Sequence, residues 1–276
     1  MYQGFFINLD RNEVRRRALE HHLEEIGATS RYRRIEAVDG RSVAHQYQTK
    51  LDPGRLGCWL SHLKILEANS GAKSHLHIIE DDTIFARNAV SVLDALLNFA
   101  DADLSDWDLI FTDMYVTPAD GTACKDLSRT LKKYQQSNTI GFINLERVAF
   151  AATSSIFVNW RAIEKYTRLM SNPGVNGLPI DLYLRGLVNQ KVLKAYVTVP
   201  FLTSVSHDSL LSDISGERDS SRAVFDTFRR AFFQDADLKT LDADMQEFIK
   251  GIAASPVEMI YLKAMLFYLS DRYVDF

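Results

Sequence analysis

Three consecutive acids, Glu80, Asp81 and Asp82, follow the apolar run HLHII in the stretch SHLHIIEDDTIF. Adjacent carboxylates repel one another, and a bound cation relieves that repulsion. Carboxylate oxygens are hard ligands that favour Mg²⁺ or Mn²⁺, which proteins hold with one or two carboxylates and the phosphates of a substrate. The chemistry implied is transfer from a diphosphate-bearing donor, with the ion stabilising the departing diphosphate. Solvated acids at a strand end are the alternative, which these residues alone leave open.

A second group of reactive residue types lies in GCWLSH, which begins at Gly57. Ser61 and His62 are adjacent, and adjacent residues on a helix do not face each other, so a serine nucleophile is disfavoured. The chain also has no G-x-S-x-G motif. The i, i+4 pair Cys58 and His62 is interpreted as packing, with Cys58 as a small buried hydrophobe. Gly57 is expected to permit close helix packing or approach of a donor.

Alternating strands and helices position these residues. Short apolar runs predict buried parallel strands at GFFINLD, RYRRIEAVDG, HLHIIEDD and DWDLIFTDMY. Helical patterns such as PGRLGCWLSHLKILEANSG separate them. The alternation predicts an α/β fold, a mainly parallel sheet with helices on both faces. Ligands of such sheets bind beyond the carboxyl ends of the strands, which is where the acid triplet falls.

The second half of the chain has a less regular pattern. The polar stretch 118–139 is expected to be a loop or an excursion, and AFAATSSIFVNWRAIEKYTRLM a strand running into a helix. A helix is predicted to open near Asp181, after Pro179, and the last strand lies in KAYVTVPFLTSVSHDS. From about Ser220 the pattern is helical.

Composition narrows the class of protein. The chain has 276 residues, 46% of them hydrophobic, and a net charge of −4, which argues against a nucleic-acid-binding face. Two cysteines, Cys58 and Cys124, argue against a disulfide framework and a thiolate metal site and suit a reducing compartment. The N-terminal stretch MYQGFFINLD resembles a first strand rather than a signal peptide, and no apolar run approaches the roughly 18–20 residues of a spanning helix. A cytoplasmic protein is expected.

The motifs of the chain, and the order in which they occur, resemble those of a known protein family. The segments FFINLDRNEVRRRALE, YRRIEAVDGR, LDPGRLGCWLSHLKILE, HIIEDD and LPIDLYLR with VSHDSLLSDISG span 5–216. In that order they resemble glycosyltransferase family 25, the lipooligosaccharide-type glycosyltransferases related to the collagen galactosyltransferases. The stretch 217–276 carries no part of the resemblance.

The resemblance implies a GT-A fold, with a catalytic domain over 1–216 and a helical extension, 217–276, packed on it. It also implies a metal-dependent, inverting transfer of a hexose from a UDP-sugar to a lipooligosaccharide or another surface glycan, with galactose expected first and glucose next. The family's acid motif falls on the triplet, so Glu80 and Asp82 are expected to hold Mn²⁺ or Mg²⁺, with Asp82 first. A late histidine completes such sites in GT-A enzymes, and His207 is the candidate here.

The resemblance also suggests roles for other residues. Inverting transfer needs a general base, and Asp181 is the candidate because helix N-termini stabilise carboxylates; a helix-cap role is its alternative. Asp113, at the end of DLIFTD, is the rival and is also a candidate for binding donor or acceptor sugar. The remaining donor-site candidates are Asn8, Asp10, Arg11, Gly57, Ser61, His62, Glu80 and Asp81, and Arg11, Arg15 or Arg16 is expected to pair with the diphosphate.

Other readings stay open at this point. A nucleotidyltransferase or pyrophosphatase would use the same acids, and a non-catalytic domain would keep only the fold; a P-loop NTPase is disfavoured because G-x-x-x-x-G-K-[ST] is missing. The C-terminal aromatic–arginine stretch is interpreted mainly as core. Docking on the inner membrane and homodimerisation are the alternatives for that stretch, which comprises Phe225, Phe228, Arg229, Arg230, Phe232 and Phe233.

Overall fold

The computed structural model describes residues 1–104, 106–116, 120–174, 176–206 and 220–236. In this part of the chain the strands are β1 (Tyr2–Asn8), β2 (Tyr32–Glu36), β3 (His75–Glu80), β4 (Thr83–Phe85), β5 (Leu109–Phe111), β6 (Tyr115–Val116), β7 (Gly141–Asn144), β8 (Phe150–Ala151), β9 (Ser155–Val158), β10 (Ala195–Val199) and β11 (Thr203–Val205). The helices are α1 (Glu13–Glu25), α2 (Gly40–Val43), α3 (Pro53–Ala68), α4 (Ala89–Asp103), α5 (Gly121–Ser137), α6 (Ile163–Met170), α7 (Ile180–Asn189) and α8 (Ser220–Phe232). Short 3₁₀ turns cover Thr29–Arg31, Ala44–Gln46 and Trp160–Ala162.

A seven-stranded sheet in the order β2-β1-β3-β9-β5-β10-β7 forms the centre of the fold. Strand β1 pairs in parallel with β2 and β3, and β5 pairs in parallel with β10. Strand β9 lies antiparallel between β3 and β5, and β7 is antiparallel to β10 at the edge. Five of the seven strands of this sheet, all but β7 and β9, therefore run in one direction, and the predicted mainly parallel α/β sheet is confirmed.

Apolar side chains leave the strands on alternate faces, as strand geometry dictates. Phe5 and Ile78 join the core layer that contains α3, α5, α6, α7 and α8. Their chain neighbours Phe6 and Ile79 join the layer that contains α1 and α4. Helices therefore cover both faces, which explains why the strands have continuous apolar runs instead of a polar–apolar alternation.

The prediction of a loop over 118–139 is wrong, because α5 occupies Gly121–Ser137. Asp120 caps this helix by accepting a hydrogen bond from the N–H of Ala123 at 3.0 Å. The buried side chains of Leu127 and Leu131 recur at helical spacing and pack into the core. Because lysine and glutamine fill the rest of the segment, its mean composition is polar even though one face is apolar.

Helix α8 (Ser220–Phe232) lies where the helical pattern was expected to begin, and 217–219 and 237–276 lie outside the described residues. Phe228 and Phe232 are fully buried against the sheet, and Phe233 is nearly so. These rings pack within the chain and are not available for membrane docking or dimerisation. The boundary proposed at 216 stays a prediction. Within the described ranges, no helix combines the length and apolar content needed to cross a bilayer.

Helices α2 and α3 meet backbone to backbone at two glycines. A Cβ atom on Gly57 would lie 2.5 Å from the carbonyl oxygen of Val38, and one on Gly40 would lie 1.7 Å from that of Pro53. Both obstacles are main-chain atoms, so no side-chain rotation can relieve the clash. Of the two roles expected for Gly57, close packing is the one observed.

We expect Gly57→Ala to lower the free energy of unfolding by about 1–3 kcal/mol, because the added methyl group overpacks two backbones. Gly186→Ala is the matched control: Gly186 lies inside α7, and its Cβ would meet only the end of Gln190, at 3.9 Å. That control should gain about 0.5–1 kcal/mol from helix propensity. Urea denaturation of both variants measures the difference, and equal stabilities would contradict the close approach.

Candidate active site

The acid triplet lies at the turn between β3 and β4, at the carboxyl end of β3. The N–H of Glu80 donates to the carbonyl of Ser154 at 2.8 Å. The carbonyl of Asp82 accepts from the N–H of Ser206, also at 2.8 Å, where β11 pairs with β4. Two neighbouring segments of backbone thus hold the turn, which fixes the directions of its three side chains.

An arginine on α1 supplies the cation that these acids need. The Arg15 guanidinium lies 2.7 Å from Oδ1 of Asp81 and 2.9 Å from Oδ2 of Asp82. The side-chain amide of Asn8 donates to the other oxygen of Asp81 at 2.7 Å. The Asp82 side chain is only 3% exposed, and its Oδ1 has no hydrogen-bond partner among the described residues. A buried carboxylate oxygen is therefore available to a further ligand.

A cleft of about 310 Å³ opens beside the triplet, where β1, β2 and β3 end. Its walls combine arginines with acids and a few apolar groups. The lining residues are Ile7, Leu9, Arg11, Asn12, Arg15, Ala37, Val38, Asp39, Gly40, Arg41, Asp52, Pro53, Gly54, Gly57, Cys58, Ser61, Glu80, Asp81 and Asp82. The cleft thus lies at the edge of the sheet where ligand binding is expected.

Ser61 holds one wall of the cleft together. Its Oγ accepts from the N–H of Val38 at 2.9 Å and donates to the carbonyl of Gly57 at 2.7 Å. The hydroxyl ties the segment after β2 to α3, and both of its hydrogen bonds among the described residues are to backbone groups. Gly57 and Ser61 therefore shape the cleft that they line.

Glu80 turns away from the other two acids, towards α3. Its Oε1 lies 3.9 Å from Sγ of Cys58, and both residues lie close to His62. His62 is fully buried, and neither ring nitrogen has a partner among the described residues, which costs about 1–3 kcal/mol for an unsatisfied polar group. Burial lowers the pKa of His62 to about 4, so the ring is neutral at pH 7. Burial, then the charges of Glu80 and Asp181, raise the pKa of the Cys58 thiol.

Asp113 lies beneath the turn in a buried ion pair, not in the cleft lining. Oδ2 of Asp113 accepts from Nε of Arg229 on α8 at 2.8 Å, and Oδ1 accepts from Oγ of Ser154 at 3.0 Å. Burial alone lowers the pKa of Arg229, but the carboxylates of Asp113, Asp226 and Asp82 outweigh it and raise that pKa. With 1% of Asp113 exposed, the geometry gives no support to a role in binding sugar or accepting a proton.

Asp181 is in the first turn of α7, as predicted. Its Oδ1 accepts from the N–H of Leu182 at 2.8 Å and its Oδ2 from the N–H of Ala152 at 3.3 Å. Ala152 has φ = 87°, a left-handed conformation that is strained for alanine, and this conformation directs its N–H to the carboxylate. Helix α7 packs in the same core layer as α3, and Asp181 is not among the residues that line the cleft.

Three further residues expected in the site have different outcomes. Arg11 lines the cleft and pairs with Asp39, whereas the exposed Asp10 pairs with Arg34 at 3.0 Å and is not among the lining residues. His207 lies outside the described residues. The expectation missed Asp39 and Arg41 in the cleft wall, where Asp39 caps α2 by accepting a hydrogen bond from the N–H of Arg41.

A protein-family model described as glycosyltransferase family 25 (LPS biosynthesis protein) matches residues 1–172. The chain belongs to glycosyltransferase family 25. It is thus a glycosyltransferase, with a sugar donor and a glycan acceptor as its substrates. The match includes the triplet, Arg15 and the cleft, and it ends before Asp181 and Arg229. No curated protein sequence matches this glycosyltransferase.

Two solved structures resemble this family 25 member at low similarity. One is assigned as a glucose-1-phosphate thymidylyltransferase from Bacillus anthracis, in complex with a sucrose, with 10% identity, TM-score 0.38, and 94% of this chain and 99% of that chain covered. The other is mouse xyloside xylosyltransferase 1, apo form, with 10% identity, TM-score 0.30, and 70% and 64% covered. The chain thus spans under two thirds of the mouse protein. The family assignment rests on the sequence match and not on these likenesses.

We expect Asp113→Asn to destabilise this glycosyltransferase by about 3–5 kcal/mol, because it leaves Arg229 buried without its main counter-charge. Glu146→Gln is the matched control, since it breaks a surface ion pair with Lys191 in which the lysine is 70% and the glutamate 35% exposed. That control should cost at most about 1 kcal/mol. Urea unfolding followed by circular dichroism measures both, and similar small losses would show that the buried pair is not needed for stability.

Proposed function

We propose that this glycosyltransferase moves a hexose, galactose before glucose, from a UDP-sugar to a lipooligosaccharide or another surface glycan, with inversion at the anomeric carbon. The observation that carries the proposal is the cleft in which Asp81, Asp82 and Arg15 meet, in a chain of this family. The family's description as LPS biosynthesis proteins supports the class of acceptor. The reaction is proposed to occur in the cytoplasm, with the glycan presented at the inner membrane.

The carboxylate oxygens of Asp81 and Asp82 suit a hard divalent cation. Asp82 would hold the ion through its carboxylate, whose Oδ1 has no hydrogen-bond partner among the described residues, and Asp81 is its neighbour. Oxygen ligands of this kind fit Mn²⁺ or Mg²⁺. When bound, such an ion stabilises the negative charge of the departing UDP. His207 remains a candidate for the same ion on the basis of sequence, whereas the expected ligand Glu80 points towards Cys58 on α3 and away from Asp82.

Arg15 and Arg11 are the groups proposed to recognise the diphosphate. Arg15 balances Asp81 and Asp82 in the absence of donor, and Arg11 balances Asp39. A guanidinium binds phosphate oxygens through paired, charge-assisted hydrogen bonds. We expect Arg15 to exchange its carboxylate partners for phosphate oxygens when donor is bound, while the divalent cation proposed at Asp82 compensates the carboxylates.

Asp181 is proposed as the base that removes the proton from the acceptor hydroxyl. The carboxylate is partly exposed, and backbone N–H groups of Leu182 and Ala152 hold it in one orientation. Helix α7, which carries Asp181, packs in the same core layer as α3, whose residues form one wall of the cleft. An acceptor hydroxyl between Asp181 and the donor would lose its proton to the carboxylate as its oxygen attacks the anomeric carbon.

Incubation with Mn²⁺, a panel of nucleotide sugars and a truncated lipooligosaccharide tests the function. We expect UDP release that requires both UDP-galactose and the glycan, and nuclear magnetic resonance of the product should show an inverted anomeric configuration. Release of pyrophosphate would instead indicate nucleotidyl transfer or pyrophosphatase activity. Retention of configuration would contradict the inverting mechanism.

Asp82→Asn is expected to abolish Mn²⁺-dependent binding of UDP, because the amide keeps the shape of the side chain but loses the charge that holds the ion. Isothermal titration calorimetry measures the binding, and circular dichroism checks the fold. Asp126→Asn is the matched control, an exposed acid on α5 that pairs only with Arg129 among the described contacts. Unchanged UDP binding in Asp82→Asn would remove Asp82 from the ion site.

Asp181→Asn is expected to retain UDP-sugar binding and to lower the transfer rate by about 10²–10⁴-fold, the range for loss of a general base. Glu164→Gln, which removes an exposed acid from the first turn of α6, is the control and should keep the wild-type rate. Single-turnover kinetics with saturating donor separate binding from chemistry. A near-wild-type rate for Asp181→Asn would exclude it as the base.

A further inference from the structure

We propose that Cys58, His62 and Glu80 form a binding site for a divalent transition metal of the zinc class, in the floor of the cleft. Cys58 and His62 lie one turn apart on α3, and Glu80 ends β3 beside them. Sγ of Cys58 and Oε1 of Glu80 are 3.9 Å apart, and one donor atom from each of the three residues lies within 4.8 Å of the others. The proposal departs from the expectation that two cysteines exclude a thiolate metal site.

His62 distinguishes this cluster from a simple packing contact. The ring is fully buried, and neither nitrogen has a hydrogen-bond partner among the described residues. Buried polar atoms in folded proteins nearly always have a partner, so an exception calls for an explanation. A metal ion held with Cys58 and Glu80 would supply the missing partner for one nitrogen.

The types of the three ligand atoms determine which metal ion the site prefers. Sulfur, nitrogen and one carboxylate oxygen are the ligands of Zn²⁺, whereas Mg²⁺ and Mn²⁺ prefer oxygen. Bond lengths of about 2.0–2.3 Å place tetrahedral zinc ligands roughly 3.5 Å apart, so the three donors need to close by about 1 Å. Binding releases the thiol proton of Cys58 to solvent, since the thiolate is the ligand.

The site keeps one position open towards the cleft. Cys58 and Glu80 line the cleft, while His62 lies behind them. Three protein ligands and one open position are typical of zinc sites that take a water or an anionic oxygen of a bound molecule. This site is separate from the hard-cation site proposed at Asp82, and it does not depend on sugar transfer.

Cobalt titration of the tag-free, full-length protein tests the proposal. We expect one Co²⁺ per chain with thiolate-to-cobalt absorption, and displacement of that cobalt by Zn²⁺. Cys58→Ala should lose the absorption, and His62→Leu should weaken binding beyond the roughly 10–100-fold typical of an outer-shell change. Cys124→Ala removes the other cysteine, which lies in α5, and should behave like the wild type.

Protection of the thiol gives a second readout on the unmodified chain. Saturating Zn²⁺ should protect Cys58 from iodoacetamide, as measured by peptide mass spectrometry, while the reactivity of Cys124 stays constant. Absence of thiolate absorption in the wild type, or its persistence in Cys58→Ala, would each overturn the site. Measurable alkylation of Cys58 that proceeds at the same rate with and without Zn²⁺ would do so as well. Neither measurement contains UDP or glycan, so failure of the metal site and failure of the sugar-transfer proposal are distinguishable.

Discussion

Compensation of buried charge is the constraint on which the rest of the site depends. Arg15 from α1 contacts Asp82. The carboxylate of Asp82 also raises the pKa of Arg229 on α8, whose main partner is Asp113. Carboxylates and guanidinium groups are therefore neighbours beneath the turn after β3. Removing water from charged groups costs several kcal/mol each unless partners compensate it, so no member of the set can change alone without penalty. A substrate that brings its own charges has to fit this balance.

The direction of β9 explains how distant parts of the chain meet at the turn. Its neighbours β3 and β5 both end at the edge of the sheet that carries the cleft, and β9, being antiparallel to them, begins there. Ser154, just before β9, therefore reaches both: its carbonyl accepts from Glu80 and its hydroxyl donates to Asp113. One reversed strand thus links the acid turn to the buried ion pair.

Sequence patterns predicted the parts of the fold in which local signals dominate. The triplet could be placed at a strand end because HLHII is a continuous apolar run, and α7 because Pro179 precedes Asp181. The partner of the triplet could not be identified, because a run of arginines on a helix is usually solvated, and Arg15 differs from Arg17 only in the tertiary position of α1. Arg229 lies 116 residues from Asp113, and no local pattern reports such a pairing. Helix α5 was missed because its polar residues outnumber its apolar stripe.

The pairing of Arg229 with Asp113 also links the acid turn to a helix that lies beyond the family match. The family match ends at residue 172, although β10 and α8 follow it, and β10 completes the sheet between β5 and β7. A fragment that stops where the family similarity stops would keep every residue that lines the cleft, yet it would leave β5 without its parallel neighbour and Asp113 without its guanidinium. During synthesis, the acid turn therefore reaches its final electrostatic environment only after α8 has left the ribosome.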